Sequence, residues 1–256
     1  MAHADIATPR AALITGAARR IGRAIALALS HAGYAVALHA RGSRADAETL
    51  AGEIVQGGGR ATVVLADLRD EVAVRNLVPA AAVFGPLTLL VNNASLFEAD
   101  EIATLERARL DATMAVNLTA PLMLAQAFAA QAPDDADASI VNIVDQRVLK
   151  PTPRFFSYSL SKSALASATV TLAQALAPKL RVNAVAPGPT LPSPRQSDAQ
   201  FATQAKALPL GRGPTPDDIA AAVVYLAQAK SVTGTVIAVD GGQHLAWRTL
   251  DSDVAE

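Results

Sequence analysis

The 256-residue chain contains no cysteine, which excludes thiol catalysis, disulfide bonds and cysteine-ligated metal sites. Charge is scarce and balanced: 22 basic against 23 acidic residues give a net charge of −1, and the basic residues are scattered. This balance does not favour nucleic-acid or membrane-surface partners. The N-terminus lacks the apolar core of a signal peptide, and no apolar run reaches the roughly 18 residues of a membrane span. We therefore expect a soluble, cytoplasmic protein.

Apolar residues are abundant instead, at 51% of the chain. Seven short apolar runs alternate with helical patterns, which indicates β-α-β units and a parallel sheet covered on both faces. The predicted strands cover 11–15, 34–40, 62–66, 87–91, 139–144, 181–185 and 235–239. The predicted helices cover 20–31, 44–56, 71–84, 102–131, 155–177 and 216–228.

The chain shows no linker-like change of composition and no internal repeat. We predict one α/β domain over 1–256 with a doubly wound parallel sheet. The proline-rich stretch 187–214 is predicted to be irregular, and loops of that length inside a domain are usually functional or mobile. The polar residues 249–256 are predicted to form a disordered tail.

A glycine-bearing loop joins the first predicted strand to the first predicted helix. Glycine lets the backbone approach a ligand, and a helix N-terminus offers free N–H groups to a pyrophosphate. The alternative is an ordinary turn, but the position directly after the first strand of a β-α-β series favours a dinucleotide site. The predicted cofactor-binding residues here are Gly16, Arg19, Arg20, Ile21 and Gly22.

The ends of the second and third strands bear on the choice of cofactor. An acidic residue after the second strand would favour NAD, but the chain has His39, Arg41 and Ser43 there. Arginine and hydroxyl donors suit a 2′-phosphate, so we predict that the cofactor bound at these residues is NADPH. The alternative is that Arg41 and Arg44 are solvated surface charges. Asp67, beside Leu68, is predicted either to meet the adenine or to cap the next helix.

The candidate chemistry lies between residues 140 and 165. A strand-like run ends near Asp145, Tyr158 follows thirteen residues later, and Lys162 follows four after that. Positions i and i+4 share one helix face, so Tyr158 and Lys162 are predicted to point toward the strand end that carries Asp145. A phenol beside an ammonium indicates acid–base chemistry.

With its other motifs, the chain resembles the short-chain dehydrogenase/reductases over nearly its whole length. The motifs are the glycine loop, Asn92-Asn93-Ala94, Asn117, the Tyr158–Lys162 pair, Pro187-Gly188 and Asp240-Gly241-Gly242. The resemblance implies a seven-stranded Rossmann fold with helices on both faces. It also implies a nicotinamide cofactor whose site includes, besides the residues above, Asn93, Ala94, Ser95, Tyr158, Lys162, Pro187 and Gly188. It further implies Tyr158 as proton donor, Lys162 as its activator and ribose anchor, Asn117 as support for a water relay, and a homotetramer.

Three positions depart from the general family pattern: Arg20 and Ser95 replace glycines, and Asp145 replaces the usual serine. These departures, with Phe97, are similar to the pteridine reductase branch, which includes bacterial dihydromonapterin reductases. The resemblance implies a pterin or folate substrate that contacts these four residues and Tyr158. Phe97 would then stack on the pterin, and Ser95 would bond its edge or the cofactor phosphates.

The chemistry of Asp145 agrees with such a substrate. An ionised carboxylate disfavours phenolate at Tyr158 and therefore suits carbonyl reduction poorly. Reduction of a C=N bond suits it better, because the ring nitrogen needs a proton as hydride reaches the adjacent carbon. We predict an Asp145–Tyr158–Lys162 proton relay. The alternative is that Asp145 caps a turn or pairs with Arg147.

The leading hypothesis is an NADPH-dependent reductase of pterins, dihydropterins or dihydrofolate. The second is a carbonyl reductase of the same fold that acts on 3-oxoacyl thioesters or sugars. The third is a non-catalytic NADPH-binding regulator. We predict no metal site, because His31 and His244 show no ligand-like spacing.

Overall fold

Seven parallel strands form a single sheet in the computed structural model, which describes residues 10–134, 136–193 and 195–247. The strands are β1 (Ala11–Ile14), β2 (Ala35–Ala40), β3 (Ala61–Leu65), β4 (Leu89–Asn92), β5 (Ala138–Ile143), β6 (Leu180–Pro187) and β7 (Val236–Val239). Their spatial order is β3-β2-β1-β4-β5-β6-β7, and neighbouring strands are parallel throughout. The predicted seven-stranded Rossmann fold is confirmed.

Helices connect the strands. They are α1 (Arg20–His31), α2 (Arg44–Gln56), α3 (Glu71–Ala81), α4 (Arg107–Met114), α5 (Ala120–Gln131), α6 (Phe156–Leu176), α7 (Asp198–Lys206) and α8 (Pro216–Gln228). A π-helical turn, Ala115–Thr119, joins α4 to α5. Three short 3-10 turns are Ile102–Thr104, Gln146–Val148 and Gln243–Leu245. The helix predicted over 102–131 therefore begins at residue 107, after a separate turn.

The core has two halves, one on each face of the sheet. Adjacent strand residues point to opposite faces, so Leu13 packs with Leu90 and with side chains of α3 and α5. Ile14 and Val91 face the other way and pack with side chains of α1 and α8. This burial on both faces explains why the strands are continuous apolar runs rather than alternating patterns.

The carboxyl ends of the strands bring distant motifs to one edge of the sheet. The chain leaves β1 toward Gly16, β4 toward Asn93, β5 toward Asp145 and β6 toward Gly188. The strand order reverses between β1 and β4, and open α/β sheets bind ligands at such a point. The sheet topology therefore positions the candidate site.

The stretch 187–214 is not wholly irregular, contrary to the prediction, because it contains α7. Ser197 Oγ accepts a hydrogen bond from the Gln200 amide at 3.3 Å, and the Gln200 side chain accepts one from the Ser197 amide at 2.9 Å. This reciprocal capping stabilises the first turn of α7, and the Ser-x-x-Gln spacing is its sequence signal. The predicted tail, 249–256, lies outside the described residues.

By length and composition alone, one described segment, Arg107–Gln131, is apolar enough to cross a membrane, with a hydropathy of 1.3 and 44% of its most apolar window buried. Leu124 and Phe128 of this segment are fully buried in the core beside α3. The segment therefore packs as a helical layer of the fold.

Arg181 on β6 binds the C-terminal end of α8. Its guanidinium donates to the carbonyls of Leu226, Ala227 and Ala229 at 2.7 to 2.9 Å and pairs with Asp137 at 3.1 Å. The last carbonyls of a helix lack partners within the helix, so a cation here satisfies them and complements the helix dipole.

We expect Arg181→Met to lower the free energy of unfolding by about 2–4 kcal/mol, because it leaves these carbonyls without a donor. Urea unfolding followed by circular dichroism measures the change. Arg75→Met is the matched control, since Arg75 forms only an exposed pair with Glu71, and its effect should stay below about 0.5 kcal/mol. Equal losses in the two variants would contradict the expectation.

Candidate functional site

A cleft of about 670 Å³ opens at the carboxyl edge of the sheet. Its volume lies within the range of small-molecule sites. The predicted residues that line it are Arg20, Ile21, Asn93, Ser95, Phe97, Asp145, Tyr158, Lys162, Pro187 and Gly188. The predicted residues outside this lining are Gly16, Arg19, Gly22, His39, Arg41, Ser43, Asp67, Leu68, Ala94 and Asn117.

Tyr158 is bonded to the carboxylate that follows β5. Its Oη donates a hydrogen bond of 2.9 Å to Asp145 Oδ2, and the tyrosine is 7% exposed. Burial, together with the charge and hydrogen bond of Asp145, raises the pKa of Tyr158 well above its ordinary value, while Arg147 opposes the rise. The phenol therefore holds its proton and directs it at the carboxylate.

Asp145 has a second set of partners. Both of its carboxylate oxygens lie 3.0 Å from Arg147 Nη1, and the carboxylate also accepts a 2.9 Å bond from the Arg147 amide. Asp145 therefore caps the Gln146–Val148 turn, forms an ion pair and accepts from Tyr158 together. The capping contact and the contact to Tyr158 are therefore compatible, because a carboxylate has about four acceptor sites.

Lys162 lies one turn after Tyr158 and is buried. Its Nζ is 5.8 Å from the centre of the Tyr158 ring and donates a 2.7 Å bond to the carbonyl of Ile143 at the end of β5. Burial lowers the pKa of Lys162 to about 8, although Asp145 partly offsets that shift. The predicted shared face of Tyr158 and Lys162 is thus present, with the ammonium anchored to the strand.

Asn117 lies in the π-helical turn between α4 and α5 and is fully buried. Its Nδ2 donates to the Leu96 carbonyl and to Ser161 Oγ, each at 3.0 Å. Its Oδ1 accepts from the Leu96 amide at 2.8 Å and from Ser95 Oγ at 3.3 Å. Asn117 therefore joins the segment after β4 to α6, and the predicted water relay stays a prediction.

The glycine loop is packed against the segment that follows β4. Asn93 Nδ2 donates to the carbonyls of Thr15 and Gly16, and Thr15 Oγ1 accepts from the amides of Asn93 and Ala94 at 2.9 and 3.0 Å. A Cβ on Gly16 would lie 3.0 Å from Ala94 Cα, and one on Gly22 would lie 2.1 Å from the Gly16 carbonyl oxygen. This close packing leaves no room for a side chain at Gly16 or Gly22.

The first turn of α1 follows the glycine loop directly. Its N-cap residue, Arg19, makes no side-chain capping bond. Arg20 begins α1 with a φ of +54°, the left-handed region that favours glycine. Its guanidinium donates to the carbonyls of Leu191 and Pro192 at 3.3 and 3.0 Å. Arg20 thus connects the glycine loop to the segment over the cleft.

The structure places the side chain of His39, a predicted cofactor-binding residue, behind the glycine loop. Its Nδ1 accepts a 3.1 Å bond from the Gly16 amide, and its Nε2 lies 3.1 Å from the Ala66 carbonyl. The ring is 2% exposed, and burial lowers the pKa of His39. Both ring nitrogens are therefore used within the protein, and His39 positions Gly16.

Arg41 and Ser43 remain available at the end of β2. Arg41 is exposed, and the Ser43 side chain makes no capping bond although it precedes α2. Arg19 is close by and pairs with Asp46 at 2.5 Å. These three side chains lie at the surface, where a 2′-phosphate would be accessible.

Asp67 does not cap the following helix, which corrects one of its two alternatives. Asp70 is the cap of α3, while Asp67 pairs with Arg69 at 2.5 Å. The hydrogen bonds of Arg69 lower the pKa of Asp67 to about 2. Leu68 is 7% exposed and packs in the core, so only its backbone can meet a cofactor.

Phe97 lines the cleft, but one of its faces is already covered. It stacks on Phe155 with ring centres 4.3 Å apart, and Tyr158 meets it edge-on at 4.7 Å. The guanidiniums of Arg147 and Arg195 lie 5.6 and 5.8 Å from the Phe97 ring centre. The predicted stacking residue is therefore part of an aromatic cluster flanked by two cations.

Sequence reasoning missed two members of this cluster, Phe155 and Arg195. Phe155 has a φ of +54° and directly precedes α6. The start of α6 is held by Asp100, whose carbonyl accepts from the Phe156 amide and whose carboxylate accepts from the Ser157 amide. Arg195 donates to the Phe97 carbonyl at 2.6 Å and pairs with Glu98 at 3.0 Å, which fastens residues 195–197 across the cleft. No local pattern marks these contacts, because their partners are far apart in the chain.

Gln146 was also missed. It is 7% exposed and lines the cleft directly beside Asp145. Its Oε1 accepts no hydrogen bond from any residue in the described ranges. A buried acceptor without a partner is uncommon and indicates a polar ligand or water.

Comparison with known proteins gives a family match over most of the chain. Residues 16–244 match the family described as enoyl-(acyl carrier protein) reductase. A short-chain type dehydrogenase/reductase of Picea abies is 32% identical, with 91% of this chain and 92% of that protein aligned. The 3-oxoacyl-[acyl-carrier-protein] reductase FabG of Staphylococcus aureus is also 32% identical, over 92% of this chain and 98% of that protein.

A solved structure is more similar. The crystal structure of FolM alternative dihydrofolate reductase 1 from Brucella suis, in complex with NADP, is 51% identical. The match covers 94% of this chain and 98% of that one, with a TM-score of 0.92.

Burial of Lys162 should destabilise the fold near neutral pH. Its folded pKa of about 8 lies below the ordinary value of 10.5, so the full cost, about 3 kcal/mol, is present below pH 8. Stability then rises with pH between about 8 and 10.5, because the unfolded chain binds the proton more tightly. We expect Lys162→Met to raise the unfolding free energy at pH 7 by about 1–3 kcal/mol, after the loss of the bond to Ile143.

Urea unfolding at pH 7 and pH 10.5 measures this gain, which should shrink at the higher pH (about 10.5, the ordinary pKa of lysine). Lys179→Met is the matched control, because Lys179 is a surface lysine paired with the exposed Asp134. A Lys162→Met protein that is less stable than the wild type at both pH values would contradict the expectation.

Proposed function

Because the chain belongs to the short-chain dehydrogenase/reductase family, we propose that it is an NADPH-dependent oxidoreductase that reduces a C=N bond of a pterin or dihydrofolate-type ring. The observation that carries the substrate class is the 2.9 Å hydrogen bond from Tyr158 to Asp145. The Brucella suis dihydrofolate reductase, at 51% identity, supports the same class.

A carboxylate at this position favours C=N over C=O reduction. A neutral hydroxyl would polarise a carbonyl oxygen without opposing the charge that Tyr158 acquires as it gives up its proton. Asp145 opposes that charge, as the raised pKa of Tyr158 indicates. A ring nitrogen is more basic than a carbonyl oxygen and takes up the proton more readily as hydride arrives, so its reduction tolerates a carboxylate beside Tyr158 better.

The proposed proton path runs from Asp145 through Tyr158. The cofactor, when bound, supplies hydride to the ring carbon. Tyr158 Oη gives its proton to the adjacent nitrogen, which takes up the electron pair of the C=N bond. Asp145, whose side chain is 13% exposed, then takes up a proton from solvent and passes it to the Tyr158 phenolate. Lys162, buried beneath the ring, stabilises the phenolate while its ammonium is charged.

The residues of the described chain fit an NADP cofactor. The uncapped first turn of α1 and the tightly packed Gly16 and Gly22 would hold the pyrophosphate. Arg41 and Ser43 would hold the 2′-phosphate at the end of β2, where the chain offers cations rather than a carboxylate. The NADP in the Brucella suis structure supports this choice of cofactor.

The substrate would lie against the aromatic cluster of Phe97 and Phe155. Ser95 and Arg20 line the same cleft and offer donors, while Gln146 offers the unpartnered Oε1. A pterin carries a flat ring with donors and acceptors along one edge. Its shape and polarity therefore match this combination.

We expect NADPH oxidation when dihydromonapterin, dihydrobiopterin or dihydrofolate is added to the purified protein. An acetoacetyl thioester is the comparison substrate, because a carbonyl reductase of the same fold would accept it. Turnover with the thioester alone would overturn the proposal. Tight NADPH binding without turnover of any substrate would instead favour a non-catalytic regulator.

We expect Asp145→Asn to lower kcat for the pterin by about 100-fold or more while NADPH still binds, because the amide can accept but cannot relay a proton. The change is isosteric and keeps the cap of the Gln146–Val148 turn. Asp111→Asn, at an exposed carboxylate paired with Arg107, is the matched control and should keep full activity. Undiminished turnover by Asp145→Asn would exclude a proton relay through Asp145.

A further inference from the structure

The side chain of Arg147 contacts Asp145 and lies beside the ring of Tyr158, the two acid–base groups of the candidate proton path. Its Nη1 lies 3.0 Å from both oxygens of Asp145. Its guanidinium carbon lies 5.6, 5.4 and 6.0 Å from the ring centres of Phe97, Phe155 and Tyr158. The side chain is 20% exposed, so this cation is held in place by rings on one side and a carboxylate on another.

The charges in the site explain why such a cation matters. When Tyr158 gives up its proton, a phenolate appears 2.9 Å from the Asp145 carboxylate, and two like charges at that distance repel strongly in a buried site. Lys162 counters this repulsion only partly, because burial lowers its own pKa to about 8. A guanidinium stays charged at every pH at which the protein is folded.

We infer that Arg147 is a positioning residue that neutralises Asp145, so that Tyr158 can release its proton beside a carboxylate. The inference rests on the proposed function for its substrate, but its electrostatic content concerns only residues of this chain. Arg147 Nη1 contacts both carboxylate oxygens and the Arg147 amide donates to Oδ1, and these contacts also fix Asp145 facing Tyr158.

The other charged groups around Tyr158 do not replace Arg147. Arg195 lies across the same aromatic pair, 5.9 Å from the Phe155 ring centre, but it pairs with Glu98. The guanidinium of Arg20 donates hydrogen bonds to the carbonyls of Leu191 and Pro192. The charge of Asp145 raises the pKa of Tyr158, and the charge of Arg147 lowers it.

The direct test measures the pH at which Tyr158 ionises in the NADP⁺ complex. The ionisation is monitored by NMR of protein labelled with ¹³C at the tyrosine ring. The chain has three tyrosines, and Tyr158→Phe assigns the signal. We expect Arg147→Met to raise the midpoint of the Tyr158 titration by about one pH unit or more, from the loss of an opposite charge at this distance. Arg147→Lys should recover part of the shift.

Two controls separate a charge effect from a structural one. Arg154→Met removes a positive charge at the rim of the same cleft and should leave the midpoint unchanged. In an Asp145→Asn background, Arg147→Met should have a much smaller effect, because the carboxylate that Arg147 neutralises is already absent. NADP⁺ affinity should be the same in all of these proteins.

An unchanged midpoint in Arg147→Met would overturn the inference, and so would an equal shift in the two backgrounds. A wild-type Tyr158 that stays protonated throughout the accessible range would overturn it too. Weakened NADP⁺ binding in Arg147→Met would assign the residue a role in holding the fold of the site instead. The titration requires no substrate, so a failure of the pterin proposal is recognised separately, in the turnover assay.

Discussion

The carboxylate of Asp145 is the contact on which the candidate site depends. It accepts from the phenol of Tyr158, from the guanidinium of Arg147 and from a backbone amide. Each partner restricts the others: the amide fixes the turn after β5, the guanidinium fixes the carboxylate, and the carboxylate orients the phenol. A neutral hydroxyl at this position would have fewer acceptor sites and no charge to hold the cation.

Several features of the candidate site lower the stability of the fold: strained backbone conformations and a buried ammonium. Arg20 and Phe155 both have a φ of +54°, and each such conformation costs about 1–3 kcal/mol. Lys162 is buried with its pKa lowered to about 8. The two apolar core halves and the capping contacts of Arg181 and Asp100 offset these costs. Functional geometry and stability therefore have different sources in this chain.

Sequence patterns predicted elements well where the signal is local. The starts and ends of α1, α2 and α8 agree with the helical periods and their flanking residues. Patterns failed where a residue had two chemically reasonable partners. Asp67 pairs with Arg69 rather than capping α3, whose cap is Asp70. Composition at a strand end shows which groups are present, but not which neighbour they choose.

The sequence by itself determined the seven strands, the alternation of strands and helices that gives a parallel sheet, and the helical spacing of Tyr158 and Lys162. It did so because burial on both faces and the period of a helix are properties of neighbouring residues. The homotetramer stays a prediction. Only the tertiary structure decided that Asp145 bonds Tyr158, that Arg147 pairs with Asp145 and that Arg195 crosses to Phe97. Those contacts join side chains whose separation is set by the packing of strands, turns and helices, and no local pattern records such a distance.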